Sequence, residues 1–280
     1  MSNAVTQVSR AADGPEVSYR ELVRAFRGLG VDASAPVLMH SSLSAFGHVH
    51  GGAESVVGAV LELFETVLVP TFTYKTLVVP ETGPPDNAIR YGAHSDRNKM
   101  AEFFHPNMPA DRLMGVIAET LRQHPNAFRS GHPLLSFAGV NAKEYLIQQI
   151  LNEPFAPIAA LYDAGGWVLL NGVDHTSNTS IHLGERMAGR KMFTRWALMG
   201  EMVVTLENVP FCSDGFNAIK PLIDPFTKTA QVGNALIQAM PLQELVTTTR
   251  QLISADPTAL LCSRTDCMSC NTTRRLLGKG

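Results

Sequence analysis

No hydrophobic run in this 280-residue chain approaches the ~20 residues that a membrane-crossing helix needs. Apolar stretches such as Val67–Val69 and Val168–Leu170 stop after a few residues. A basic segment followed by an apolar one is absent from the N-terminus, so no export signal and a cytoplasmic location are expected. Cysteine is scarce, four residues in all, which excludes a scaffold built from disulfides. Charge is scarce too. Lys plus Arg total 23 against 25 for Asp plus Glu, and this net charge of −2 lacks the basic excess of a nucleic-acid binder. What the chain does have is a 45% hydrophobic content, enough to offset chain entropy with a large core. We expect a single domain over 16–280, with a long irregular insertion at about 75–108. Residues 1–15 are set aside as disordered.

Local patterns give the order of elements. Ser18-Tyr19-Arg20-Glu21 reads as a capping box, Leu22, Phe26 and Leu29 recur at helical spacing, and Gly30 stops the helix. Pro36–His40 is a short buried strand, Glu54–Glu65 a helix and Thr66–Val69 a second strand. That sequence makes a right-handed βαβ unit and predicts a parallel sheet. Pro, Gly and mixed charges break up 75–108, and a loop of this length is usually functional or disordered. Helices are expected over Asp111–His124, from a capping box at Asn141–Glu144, over Asn178–Arg190, and over Leu242–Ile253 with Pro241 at its first position. Trp167–Asn171 reads as a buried strand, and Thr194–Leu198 with Met202–Leu206 as an antiparallel hairpin. The fold class is α/β: an α/β/α sandwich with a mainly parallel central sheet and a small antiparallel excursion.

In open α/β sheets, ligands bind at the carboxyl ends of strands. Three polar stretches follow expected strands: His40-Ser41-Ser42-Leu43, Pro70–Tyr74 and Asn171–Glu185. Turn and cap chemistry explains each hydroxyl taken singly; three stretches together point to one shared site. His182 and Glu185 stand at i, i+3 on one helix face. A carboxylate beside an imidazole fixes its tautomer and raises its basicity, as a general base for an amine requires. A satisfied helix histidine beside a surface glutamate is the plainer alternative. A metal set of His175, His182 and Glu185 lacks the His-Glu-x-x-His pattern of a zinc helix. His48 and His50 read as a solvent-facing pair. Arg129 suits a bidentate contact to phosphate, with a surface salt bridge as the alternative.

Cys262, Cys267 and Cys270 form a C-x4-C-x2-C cluster. A tetrahedral zinc needs four ligands, and Cys212 is the one remaining candidate if the fold brings it near. Iron–sulfur ligation has the same requirement. Free thiols or a reducible disulfide are the alternatives, and nothing local marks Cys212 as an activated nucleophile.

Several motifs, in order, resemble the aminoglycoside 3-N-acetyltransferase (antibiotic N-acetyltransferase) family. They are His40-Ser41-Ser42-Leu43-Ser44 with Gly51-Gly52-Ala53-Glu54, Val69–Thr73, Arg129–Pro133 through Ser136–Val140, and Asn178–Glu185. Asp214-Gly215-Phe216 and Gly233-Asn234-Ala235 extend the similarity, which covers roughly 18–272. The resemblance implies an α/β/α fold and direct transfer of an acetyl or other acyl group from acetyl-coenzyme A to an amine. That activity is one of antibiotic resistance. It implies His182 as base and Glu185 as its carboxylate partner. It places the coenzyme A site along His40, Ser41, Ser42, Thr71, Thr73, Arg129 and Ser136. Aminolysis of a thioester also needs donors for an oxyanion, and Thr71, Thr73 and Thr179 are the candidates.

Two features depart from the family. His48 and His50 stand where members often carry a Trp and an apolar residue. The 75–108 segment balances four acidic residues (Glu81, Asp86, Asp96, Glu102) against four basic ones (Lys75, Arg90, Arg97, Lys99), whereas polycationic acceptors call for carboxylates. The acceptor is therefore expected to be a small-molecule amine, of aminoglycoside type or another. The rival functions are a non-catalytic coenzyme A or amine binding protein and a metal-dependent hydrolase using His175, His182 and Glu185.

Overall fold

A computed structural model describes residues 15–92 and 98–278. Residues 1–14, of the stretch expected to be disordered, and 93–97 of the insertion lie outside the described residues. The first half runs β1 (Glu16–Val17), α1 (Tyr19–Gly28), β2 (Val37–Ser41), β3 (His48–Val49), α2 (Gly52–Leu63), β4 (Val67–Pro70), β5 (Leu77–Val78) and α3 (Gly115–Arg122). Next come β6 (Ala127–Arg129), β7 (Phe137–Val140), α4 (Lys143–Leu146), α5 (Ala156–Asp163), β8 (Trp167–Asn171) and α6 (Ser180–Met187). The chain ends with β9 (Phe193–Met199), β10 (Met202–Val209), α7 (Lys220–Ile223), β11 (Lys228–Val232), β12 (Ala235–Pro241), α8 (Leu242–Ala255) and α9 (Met268–Leu276).

Short-range chemistry sets the first elements. Ser18 N–H donates to Glu21 Oε2 at 2.8 Å and Glu21 N–H donates back to Ser18 Oγ, closing the expected capping box. Gly30 turns the chain at φ +59° to end α1. The apolar runs of β2 and β4 pair in parallel, Val37 with Val67 and Leu38 with Leu68, with α2 between them in sequence.

A seven-stranded sheet carries the fold, in the order β11-β12-β8-β2-β4-β7-β6. Its pleat divides the apolar side chains between two faces. Leu38, Leu68, Val168 and Leu170 pack with Ile158 and Leu161 of α5, Ile181 of α6 and Leu245 of α8. Val37, Met39, Val67 and Leu169 pack with Phe26 of α1, Val56 of α2 and Ile117 of α3. Helices thus cover both faces.

The sheet corrects one expectation. Only the central β8-β2-β4 strands are parallel; the other four pairings are antiparallel, so the sheet is mixed. Strands joined by a short connection can only pair antiparallel. The two-residue link Gly233-Asn234 between β11 and β12 is such a connection, with Gly233 at φ +54°.

Boundaries shifted where a turn intervened. Asn141 does not cap a helix: at φ +52° it sits in a turn, its side chain donates to Glu65 O at 2.8 Å, and α4 is a single turn from Lys143. Asp111 caps only a short 3-10 turn, because Gly115, the first residue of α3, redirects the chain at φ +83°. Pro241 closes β12 and precedes α8 rather than opening it. The β9–β10 hairpin forms as expected, and β5 from the insertion joins it through Leu77 to Ala197 and Val78 to Trp196. Among the described residues, no helix is long and apolar enough to cross a membrane.

Candidate active site

The carboxyl ends of β2 and β8 open onto a cavity of about 1190 Å³. His40, Ser41 and Ser42 line it from β2, Val173 and Thr176 from the segment after β8, and Thr179 and His182 from the start of α6. Gly115 and Val116 of α3 form one wall, and Val209 to Phe211 after β10 another.

His182 is 7% exposed, held between the Phe155 ring (6.0 Å, stacked) and the Phe216 ring (4.8 Å, edge-on). Its Nδ1–H donates to Glu185 Oε2 at 2.5 Å, the contact that the i, i+3 spacing implies. The other oxygen of Glu185 accepts from Arg190 Nη1 at 2.5 Å. Arg190 is anchored in turn by Nη2 to the carbonyls of Pro257 at 2.9 Å and Ala259 at 2.6 Å. With Nδ1 committed as donor, Nε2 carries the lone pair and is the nitrogen left to the cavity. The array can accept a proton at Nε2 and spread the resulting charge over Glu185. Sequence reading missed Arg190. It lies beyond the end of α6, after Gly189 turns at φ +78°, where no helical spacing applies.

Thr179 precedes α6 by one residue and His182 by three; its hydroxyl makes no capping hydrogen bond to the helix, and the residue lines the cavity. The other two oxyanion candidates are placed differently. Thr71 Oγ1 donates to Ser136 O at 3.1 Å and Thr73 Oγ1 to Pro133 O at 2.6 Å, both fully buried beneath β7. Arg129 and Ser136 belong to the same network. Arg129 Nε donates to Ser136 Oγ at 3.1 Å, Nη2 to Thr71 O at 2.7 Å, and Nη1 to the carbonyls of Pro106 and Met108. Ser136 Oγ donates to Thr71 O. None of Thr71, Thr73, Arg129 and Ser136 lines the cavity. Their polar side-chain groups bond to one another and to backbone carbonyls. Burial, with Arg122 nearby, lowers the Arg129 guanidinium to about 10.

The β2 end carries unfilled polar capacity. His40 is 5% exposed, its Nε2 has no partner, and burial pushes its pKa down to about 3. It stays neutral near pH 7 and is too weak a base to compete for an amine proton. Ser41 Oγ and both polar atoms of Asn171, its cross-strand neighbour, also lack partners. Ser42 Oγ lies 3.1 Å from Ser44 Oγ. Two cationic residues on the lining were not foreseen: exposed Arg112, just before α3, and buried Arg195 on β9. Neither follows a strand end, the feature that drew attention to the other positions.

The hydrolase set does not assemble. His175 is buried beside Asn178 and off the cavity lining. Among the described residues, the single cluster of three or more metal-ligating types is the four cysteines. His48 and His50 meet edge-on at 5.4 Å, with His50 Nε2 3.1 Å from Glu16 Oε2, an exposed pair as expected. Cys212 does join Cys262, Cys267 and Cys270: their sulfurs all lie within 4.8 Å of one another, and none is in a disulfide. Tetrahedral zinc with Zn–S of about 2.3 Å spaces its sulfurs by ~3.8 Å, so the set fits that ion with small adjustments.

A model of the aminoglycoside 3-N-acetyltransferase family matches residues 38–254. The SPbeta prophage-derived aminoglycoside N(3')-acetyltransferase-like protein YokD of Bacillus subtilis (strain 168) is 32% identical over 180 residues, 61% of this chain and 66% of that protein. The match thus spans just under two thirds of that relative's length. The fold is like that of the aminoglycoside acetyltransferase AAC(3)-IVa apoenzyme (TM-score 0.77, 24% identity, 94% of this chain and 99% of that one). It is also like that of AAC-IIIb in its binary complex with CoASH (TM-score 0.71, 20% identity, 86% and 97%).

Proposed function

The chain belongs to the aminoglycoside 3-N-acetyltransferase family, and on that premise we propose that it is a coenzyme A-dependent N-acyltransferase, moving an acetyl group to a small-molecule amine by direct transfer. The observation that carries this reading is the His182–Glu185–Arg190 array, buried except where His182 lines the cavity, with Nδ1 engaged by Glu185. The amine nitrogen attacks the thioester carbonyl while His182 Nε2 takes its proton. The oxyanion that forms accepts from the Thr179 hydroxyl. Collapse breaks the C–S bond, and the proton held by His182 goes to the departing sulfur, giving CoASH and the amide.

The acyl donor also has a fitting cradle. Unpartnered His40 Nε2 and Ser41 Oγ suit the amides of a pantetheine arm, with Ser42 beside them. Arg112 at the rim suits a phosphate. AAC-IIIb, of like fold, binds CoASH. A donor of this kind places the reaction in the cytoplasm. The four-cysteine cluster is assigned to a structural zinc that ties α9 to the 210–213 wall of the cavity.

Calorimetric titration with coenzyme A and acetyl-coenzyme A, followed by thiol release against amines, tests the reading. Binding with release is expected, and His182→Ala is expected to lose about 10²–10⁴-fold in rate while keeping its coenzyme A affinity. Full activity in that variant sinks the assignment. Tight binding with no release from any amine favours a binding protein instead.

A further inference from the structure

The acceptor side of the cavity is unlike a polycation site. Among the described residues that line it there is no aspartate or glutamate. Carboxylates adjoining the lining in sequence accept hydrogen bonds from other groups of the protein. Asp111 Oδ1 accepts from Leu113 N–H at 3.0 Å. Asp174 Oδ1 accepts from Thr176 N–H at 2.9 Å, and Asp174 Oδ2 from Asn217 Nδ2 at 2.8 Å. Glu185 is shared between His182 and Arg190. An acceptor with several ammonium groups would face Arg112, Arg195 and two imidazoles on a lining that, among the described residues, carries no carboxylate.

Arg195 is the unusual member of this set. It is 3% exposed, yet no carboxylate pairs with it among the described residues. Nη1 donates to the carbonyls of Asn87 at 3.0 Å and Thr194 at 2.7 Å, and Nη2 has no partner among the described residues. The guanidinium lies over the rings of Phe193 at 5.4 Å and Phe211 at 4.7 Å. A buried cation without a counterion is costly to a fold. A bound ligand that brings an oxyanion removes that cost. Beside Arg195 the wall is apolar: Leu77, Val209, Pro210 and Phe211.

We propose that the acceptor is an amine with an apolar body and an oxyanion group, carboxylate or phosphonate, and that Arg195 binds that group while His182 takes the proton of the amine. This rests on the acyltransferase reading above. It replaces the polycationic acceptor of the family's name with a zwitterionic one.

The test is thiol release from acetyl-coenzyme A with matched acceptors. These are 2-phenylethylamine, phenylalanine, its phosphonate analogue, homologues of each lengthened by one and two carbons, and gentamicin. At least one carboxylate or phosphonate is expected to exceed its own oxyanion-free amine by about 100-fold in kcat/KM, and the homologous pairs tell which oxyanion is preferred. Arg195→Met is expected to abolish that preference through KM, with the KM for acetyl-coenzyme A unchanged. If that variant does not fold, Arg195→Lys, which keeps the charge but loses the planar fork, is expected to lower the preference about tenfold. Release with gentamicin or 2-phenylethylamine but no oxyanion preference overturns the inference and leaves the acyltransferase reading standing. So does an unchanged preference in the Arg195 variants, or a rise in their KM for acetyl-coenzyme A. Absence of release from every amine, with no binding of acetyl-coenzyme A, overturns both.

Discussion

Two histidines near the site have unlike surroundings. His182 has a carboxylate at Nδ1, whereas His40 is buried with an empty Nε2 and no charge to compensate it. His132 resembles His40: burial lowers it to about 4, and its Nδ1 accepts from Leu134 and Leu135 N–H, bonds that only the unprotonated nitrogen can make. Both folded pKa values lie below the ordinary 6.5. Between about 6.5 and the folded values, the unfolded chain binds protons that the folded chain refuses. Stability is therefore complete above pH ~6.5 and falls on acidification, by up to about 1.4 kcal/mol per pH unit for each histidine. Melting temperatures taken from pH 8 down to pH 5 are expected to be flat and then to drop, and His132→Gln to flatten the acid limb. A profile level to pH 5 contradicts the burial argument.

At the level of elements, Arg129 on β6 works as a latch. It ties the 106–108 stretch and the end of β4 to β7 through Thr71 O and Ser136 Oγ. Removing the guanidinium strands several carbonyls in a partly buried setting, at a cost of about 1–3 kcal/mol. Arg129→Met is accordingly expected to lower the urea midpoint while leaving coenzyme A affinity unchanged, since no atom of Arg129 lines the cavity. A selective loss of coenzyme A binding at full stability would return Arg129 to the site. In sequence, Arg129 of the Arg-Ser-Gly-His-Pro stretch reads as a phosphate contact or a surface salt bridge. The antiparallel pairing of β6 with β7 turns that stretch into a structural hairpin.

For the whole molecule, the four cysteines join distant parts of the chain. Cys212 follows β10, Cys262 lies past α8, and Cys267 and Cys270 sit at the start of α9. Pro210, Phe211 and Ser213 flank Cys212 and line the cavity, so the metal would hold a wall of the site. Elemental analysis of chain purified without chelator is expected to show one zinc per chain. Stripping it, or Cys270→Ser, is expected to lower the melting temperature by roughly 5 °C or more. Metal-free chain of unchanged stability would rule the zinc out.

Local chemistry was enough for much of this. The Ser18–Glu21 box, the β2–α2–β4 unit, the β9–β10 hairpin and the His182–Glu185 pair depend on residues a few positions apart, where spacing fixes geometry. The motif order from His40 to Glu185, from which the family was legible, is read along the chain and needs no tertiary contact. Other features needed the tertiary structure, because their partners are far apart in sequence. The segment after β4 lies against the segment before β7, where the hydroxyls of Thr71 and Thr73 donate to the carbonyls of Ser136 and Pro133; sequence alone could not tell these hydroxyls from free ones. Arg190 reached Glu185 only after the turn at Gly189, and Cys212 reached the other thiols only once β10 and α9 had packed. The sign of charge at the acceptor wall was decided last. A sequence counts charges, but only the fold determines which of them face the cavity and which are spent on backbone.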